Sequence, residues 1–480
     1  MVAGRDAPRP DDDAHVVSDP ASFRDPAGFV YRRDGVLLRQ IDHSFGDRWD
    51  RVVESGLLAR LEVGGELVPH EVAALELAAD PAQAHAVIRP TEVAFVSYPV
   101  EWSFGMLRDA ALLTLDVQAK AMAAGFTLRD ASAYNVLFDG PRPILIDHLS
   151  FEAAAPGTPW AAYRQFCEHF LAPLALMARR DVRLGSLLRS HLDGIPLDLA
   201  AHLLPWRSRF SPGLGPHIHL HARGQRQHAD GGAAVARETG RARVGRLGSE
   251  ALIDSLRRTV AGLDWTPAGT EWADYDQGAG TDDRTRAMAS AKDDIVRSML
   301  VDAGGSVVWD LGANVGRHSA IAAELGRRVV SWDADPAAVE RHYRALRSAG
   351  SSDRVLPLLA DLADPTPSAG WALRERRSML DRADADVALA LALIHHLAIG
   401  RNVPLPRIAD LFASLAPGLI VEWVGRDDPM VARLLATRED VFRDYDDAGF
   451  RAAFGRRFRV AEERALPGSG RVLFRMERLA

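Results

Sequence analysis

The chain has 480 residues, 47% hydrophobic and 26% charged, an ordinary globular composition that excludes a wholly disordered, collagen-like or coiled-coil protein and suggests two or three domains at roughly 150 residues each. A net charge of −7 gives no overall attraction to DNA or anionic lipid. The single cysteine, Cys167, excludes an internal disulfide or a cysteine-based zinc site and fits a reducing, cytoplasmic setting.

Residues 1–27 lack an apolar targeting core and read as a solvated tail. Residues 28–205 read as an α+β domain. Short β-like runs (Gly35 to Ile41, Ala86 to Pro90) precede a helical pattern from Phe104 to Ala124 that stops at Gly125, and a second helical region runs from Trp160 to Leu204. Residues 206–285 read as a connection: between 206 and 248, eight Arg face only Asp230 and Glu238, among many Gly. There His217, His219 and His221 would share one face of a strand, but without a nearby carboxylate or Cys no metal site is assigned.

From residue 286 to the end, helix and strand signals alternate. Strands are predicted at Ser306 to Asp310, Arg328 to Asp333, Arg354 to Ala360, Asp386 to Ile394 and Leu419 to Val424, with helices at Arg317 to Leu325 and Pro404 to Ala416. A terminal antiparallel hairpin turns at Pro467-Gly-Ser-Gly. This is the pattern of an α/β, Rossmann-like, doubly wound and mostly parallel sheet. The most apolar run, Val387 to Ile399, contains His395 and His396 and is shorter than the roughly 20 residues that span a bilayer, so no membrane helix is expected.

The sharpest chemical signal is SVVWDLGANVG at 306–316, an apolar strand ending in an acid, then Gly312 and Gly316 around Asn314 before a helix. Such a turn sets backbone N–H groups and a helix N-terminus beside a ligand at the carboxyl edge of the sheet. About 23 residues on, Asp333 is placed to accept hydrogen bonds from ribose hydroxyls. Asn314 stands where a dinucleotide fingerprint has its second Gly, which points to a nucleoside without a pyrophosphate. On these residues the region from Ala287 onward resembles the class I S-adenosylmethionine-dependent methyltransferases. The resemblance implies that Asp310, Gly312, Ala313, Asn314 and Gly316 hold the methionine part, that Asp333 binds ribose, and that Asp361 with Leu362 faces the adenine. It also implies that the fourth strand, ADVALALALIHHL, runs into the transfer site, and that S-adenosyl-L-methionine is the cofactor. His395 and His396 are then the candidate bases, because imidazole titrates near neutral pH. His318 is expected at the surface or behind the site, Glu422 either in the acceptor pocket or at a plain strand end, and Lys292 on a solvated helix face or paired with the methionine carboxylate.

A second resemblance concerns LRDASAYNVLFDGPRPILIDHLSFE at 128–152. Asp130, Asn135 five residues on, a turn at Asp139-Gly140 and a β-like run to Asp147 are similar to the catalytic and metal loops of protein-kinase-like and aminoglycoside-phosphotransferase-like folds. By that resemblance Asp130 orients an acceptor hydroxyl while Asn135 and Asp147 hold Mg²⁺. The chain departs from it in three ways. No Gly-rich phosphate loop lies upstream, the phosphate-pairing lysine is missing because Lys120 lies in the helix, and His148-Leu149 follows Asp147.

The expected function is methyl transfer to an unidentified acceptor, a small molecule in preference to protein or RNA, with neither DNA nor a membrane as partner. The alternatives are a bifunctional protein with an added kinase-like phosphotransferase and a non-catalytic S-adenosylmethionine-binding protein.

Overall fold

A computed structural model describes residues 16–155, 157–223, 245–267, 283–350, 354–436 and 439–479. The N-terminal half is built on an antiparallel sheet in the order β1-β2-β3-β5-β4, formed by β1 Val16–Ser18, β2 Gly28–Arg33, β3 Val36–Asp42, β4 His70–Ala73 and β5 Ala84–Pro90. Asp34 and Gly35 join β2 to β3, both at positive φ (50° and 82°), the two-residue turn whose twist suits a tight hairpin. Helices Gly46–Glu54 and Leu57–Val63 fill the connection from β3 to β4. Helix Phe104–Ala123 starts at Ser103, whose hydroxyl accepts from the Met106 N–H, and is buried on most of its circumference. It is therefore a central helix, not an amphipathic surface one. Beyond it, β6 Phe126–Leu128 pairs with β9 Phe151–Ala153, and the hairpin of β7 Val136–Asp139 and β8 Arg142–Leu145 turns at Asp139 and Gly140 between them.

Three sequence expectations change here. The first 27 residues are not all tail, because β1 pairs with β2 and Arg129 binds Asp25. The stretch from Trp160 to Leu204 is a series of short pieces, among them helices Ala172–Arg179 and Leu197–Leu203. Within 206–285, the described residues pack as structure: helix Arg246–Ala261 buries Ile253, Leu256 and Val260 in the N-terminal core. His217 and His219 lie in a wide helical turn, Gly215–Leu220, and not on a strand. They are satisfied by Tyr163 Oη and Ser255 Oγ at 2.8 and 3.0 Å from His217, and by Ser208 Oγ at 2.7 Å from His219.

The C-terminal half carries a seven-stranded sheet in the order β12-β11-β10-β13-β14-β16-β15. Its strands are β10 Val307–Leu311, β11 Arg328–Asp333, β12 Val355–Leu359, β13 Val387–Ala390, β14 Gly418–Trp423, β15 Phe458–Ala465 and β16 Val472–Arg478. The first five run parallel, and β16 joins β14 antiparallel. β13 stops four residues short of the predicted strand, because Ala392 takes a left-handed conformation (φ 52°) and turns the chain into Ile394 and His395. Chain order reverses between β10 and β13, which opens a crevice at their carboxyl ends, where such sheets hold ligands.

One face of this sheet is covered by helices Asp283–Ala303 and Arg317–Glu324. On the other face, the connection from β12 to β13 contains only the short turns Trp371–Leu373 and Leu380–Arg382. The N-terminal half fills the place a crossover helix takes in a doubly wound sheet. Phe95 packs edge-on to both Trp309 and Trp332 at centroid distances of 5.8 Å, and these residues share one continuous core with helix Phe104–Ala123. No described helix is long and apolar enough to cross a membrane.

Candidate functional site

The turn after β10 is fixed from within. Gly312 and Ala313 donate their N–H groups to the Trp332 carbonyl at 2.8 and 3.0 Å, and the Asn314 N–H donates to Asp333 Oδ2 at 2.7 Å. The N–H groups expected to face a ligand are thus spent on β11, which leaves the turn poorly suited to a pyrophosphate. Gly316 combines φ 83° with a close approach that bars any side chain: a Cβ there would lie 2.0 Å from His342 Nε2. Asp310 is buried beneath the turn, where Ser319 Oγ donates to its Oδ2 at 2.6 Å. Asp333, half-buried, also accepts from the Asp335 N–H at 2.8 Å. Burial pushes both carboxyls up to about 6, against the hydrogen bonds that favour their charged forms.

Asp361 follows β12, with Oδ1 accepting from the Ala363 N–H and Oδ2 paired with Arg401. Leu362 beside it packs on the core. His395 and His396 form a close ring pair, 4.0 Å between centroids. His395 is almost fully enclosed, and burial, then His396 and Arg471, push its ring down to about 3. It stays neutral at physiological pH.

Lys292 is not a solvated residue. Its Nζ lies 2.6 Å from Glu422 Oε2, and Glu422, fully enclosed, also takes Arg471 at 3.3 Å. Arg471 in turn binds Asp428 at 2.7 Å. Burial opposes charge on Glu422, but Lys292 and then Arg471 outweigh it and hold the carboxyl below its usual range. His318, expected at the surface or behind the site, is mostly enclosed, 3.5 Å from Asp293. The carboxyl edge of the sheet therefore bears a recessed group of paired charges beside the Gly turn.

The three residues of the second resemblance also converge. Asp130 is hydrogen-bonded to Asn135, and burial raises its pKa, with Asp147 adding to the rise. Asn135 Nδ2 donates to Ser150 Oγ at 3.4 Å. Asp147 accepts from the same Ser150 hydroxyl and pairs with Arg39 of β3 at 2.6 Å. Burial would raise Asp147, but Arg39 together with the hydrogen bonds from the Ser150 hydroxyl and the Leu149 N–H outweighs it and holds the carboxyl low. Sequence reasoning missed Arg39 because it sought a lysine.

No family model matches the chain. The nodulation protein NoeA of Rhizobium meliloti (strain 1021) is 35% identical over 465 residues, covering 95% of each chain. The chain belongs to the NoeA family. Solved structures similar to it include the magnesium protoporphyrin IX methyltransferase ChlM of Synechocystis PCC 6803 with bound SAH (16% identity, 42% of this chain and 89% of that one, TM-score 0.30). Geranyl diphosphate C-methyltransferase of Streptomyces coelicolor A3(2) matches at 13% identity over 45% of this chain and 87% of that one, TM-score 0.32, and WbdD at 14% identity over 45% and 46%, TM-score 0.30. The sheet itself decides the fold. Five parallel strands closed by an antiparallel hairpin give this member of the NoeA family a class I methyltransferase fold in its C-terminal half.

Proposed function

We infer that the chain is an S-adenosylmethionine-dependent methyltransferase acting on a small-molecule acceptor. The observation that carries this reading is the pairing of Asp333 with the turn after β10: a carboxylate for ribose hydroxyls stands over a turn whose own N–H groups are already used. That combination suits a nucleoside cofactor lacking a pyrophosphate. When bound, the cofactor supplies an activated sulfonium methyl, so the chain's task is alignment and exclusion of water. Asp310 braces the helix that follows the turn through Ser319, Gly316 permits the close approach of His342, and Asp361 stands at the adenine end. His395, neutral and weakly basic, shapes the transfer end, which leaves the half-buried His396 as the candidate base. A small acceptor is favoured because Lys292, Glu422, Arg471 and His395 are recessed. The name of the NoeA relative associates that protein with nodulation and specifies no acceptor.

Isothermal titration with S-adenosylmethionine, followed by a labelled-methyl screen of small-molecule fractions, tests the proposal, and absence of binding at millimolar cofactor would end it. Asp333→Ala is expected to weaken cofactor binding by about 1.5–3 kcal/mol, the scale of hydrogen bonds to a charged group. Unchanged calorimetric affinity would remove Asp333 from the site.

A second reading is favoured by one specific observation, the convergence of Asp130, Asn135 and Asp147 below a five-stranded antiparallel sheet, which supports a kinase-like architecture for the N-terminal half. Arg39 already supplies the positive charge beside Asp147 that a magnesium ion would bring. ATP with Mg²⁺ at millimolar concentration is therefore expected to leave the melting temperature unchanged. S-adenosylmethionine at a hundred times its Kd should stabilise the chain by about 2.7 kcal/mol. An ATP shift abolished by Asp147→Ala would favour the bifunctional alternative.

A further inference from the structure

Glu62, near the end of helix Leu57–Val63, His70, the first residue of β4, and His148, in the turn after β8, have no part in the sites above. They meet although they come from three separate elements, and the ligand atoms they offer all lie within 4.8 Å of one another. His70 Nδ1 is 2.5 Å from Glu62 Oε1, and His148 Nε2 is 3.8 Å from the same oxygen. The two rings meet edge to face at 4.8 Å between centroids. The side chain of His148 is fully enclosed, while those of His70 and Glu62 keep 12% and 16% of their exposure.

The protein leaves His148 incompletely satisfied. Its Nε2 lies 2.9 Å from the Val68 carbonyl and 3.8 Å from Glu62 Oε1, so a metal held through Nε2 would displace the proton shared with that carbonyl, and the other ring nitrogen is Nδ1. That Nδ1 is buried with no hydrogen-bond partner among the described residues, an uncommon condition for an enclosed polar atom. Burial holds the ring neutral, at about 3, and neutral imidazole is the form that binds metals.

We propose that Glu62, His70 and His148 form a binding site for one divalent transition-metal ion of the zinc class. Two imidazoles and a carboxylate match the nitrogen and oxygen donors zinc takes in proteins and do not match the all-oxygen sets of magnesium and calcium. The Val68 carbonyl is a further oxygen donor at the same place. Because the group is enclosed and its donors come from three elements, the ion acts as a structural clasp. It fastens helix Leu57–Val63 to β4 and to the turn that carries Asp147, the neighbour of His148 and partner of Arg39.

The test uses the full chain, stripped with a chelator and titrated with Co²⁺ as a spectroscopic probe, then with Zn²⁺ as competitor. The expected result is one saturable equivalent with the ligand-field absorption of low-coordinate Co²⁺, abolished by Zn²⁺, together with a Zn²⁺-dependent rise in melting temperature. The chain has 16 histidines, so adventitious sites are separated by variants. Glu62→Gln keeps the shape but removes the anionic ligand, and His148→Ala removes an imidazole. Each should delete that one equivalent, lowering its affinity by more than the about 10–100-fold that follows loss of an outer-shell partner, and leave any weaker equivalents in place. Absence of saturable Co²⁺ absorption in the unaltered chain overturns the proposal. So does equal stoichiometry and affinity in Glu62→Gln, the partly exposed position, which decides the matter even where His148→Ala fails to fold.

Discussion

Glu101→Ala is expected to destabilise the whole chain by about 3–5 kcal/mol, the cost of removing one partner from a buried ion pair. Glu101 and Arg382 come from opposite halves, and their side chains keep 0% and 1% of their exposure. Arg382 reaches Glu101 through both terminal nitrogens and also donates to the Val96 carbonyl. Its guanidinium lies over the rings of Tyr98 and Phe95 at 4.4 and 5.3 Å. Without Glu101 a full positive charge stays enclosed between aromatic rings, with no anion and no water to replace it. Chemical denaturation should show the loss as a lower midpoint for both halves in one transition. Replacing both residues together with apolar ones should recover much of the loss, because the isolated charge is the larger part of the cost. A variant that loses under about 1 kcal/mol would mean that solvent reaches Arg382.

Acid should weaken the fold more steeply than its carboxylates alone imply. Burial lowers His169 and His342 to about 4, and His318 and His395 to about 3. In the unfolded chain such rings titrate near 6.5. A folded pKa below the unfolded one means that the unfolded state binds more protons below about pH 6.5, so stability falls as pH falls. Each ring withdraws about 2 kcal/mol between about pH 7.5 and about pH 5. Asp310 and Asp333 work in the opposite direction. Raised to about 6 in the fold, they take up protons there before the unfolded chain does and return about 1–1.5 kcal/mol each over the same interval. The expected net loss from these six groups is about 5 kcal/mol, and His148, likewise lowered to about 3 by burial, adds about 2 kcal/mol in the metal-free chain. Denaturant midpoints measured at both pH values check it, and equal stabilities would mean that these rings protonate without unfolding.

The C-terminal strands were legible in the sequence because parallel strands are apolar runs punctuated by Gly, Pro and charge. β11 lies where the pattern put it, β10 and β14 shift by a residue, and β12 is shorter by one residue at each end. The run ALALALIHHL misled because Ala392 ends β13 by backbone conformation alone, which composition does not report. Alternation at His217, His219 and His221 looked like a strand, yet a wide helical turn gives His217 and His219 separate partners. Helix Arg246–Ala261 was missed because its buried positions are few. The cofactor turn could be read because its chemistry is local. The pairing of Lys292 with Glu422, 130 positions away, and of Arg39 with Asp147 is set by topology, and no window along the chain contains both partners. The Glu62, His70 and His148 group escaped for the same reason.

The substitution of N-terminal residues for a crossover helix also bears on how the chain is made. Phe95 leaves the ribosome about 200 residues before Trp309 and Trp332, the rings that cover it. At about 5–20 residues per second that interval lasts roughly 10–40 s. Throughout it the N-terminal half carries an uncapped aromatic surface and lacks Arg382, the counter-charge of Glu101. Chaperone demand should therefore concentrate on nascent chains shorter than about 390 residues, and a chain cut before β13 should aggregate instead of accumulating as a free N-terminal domain.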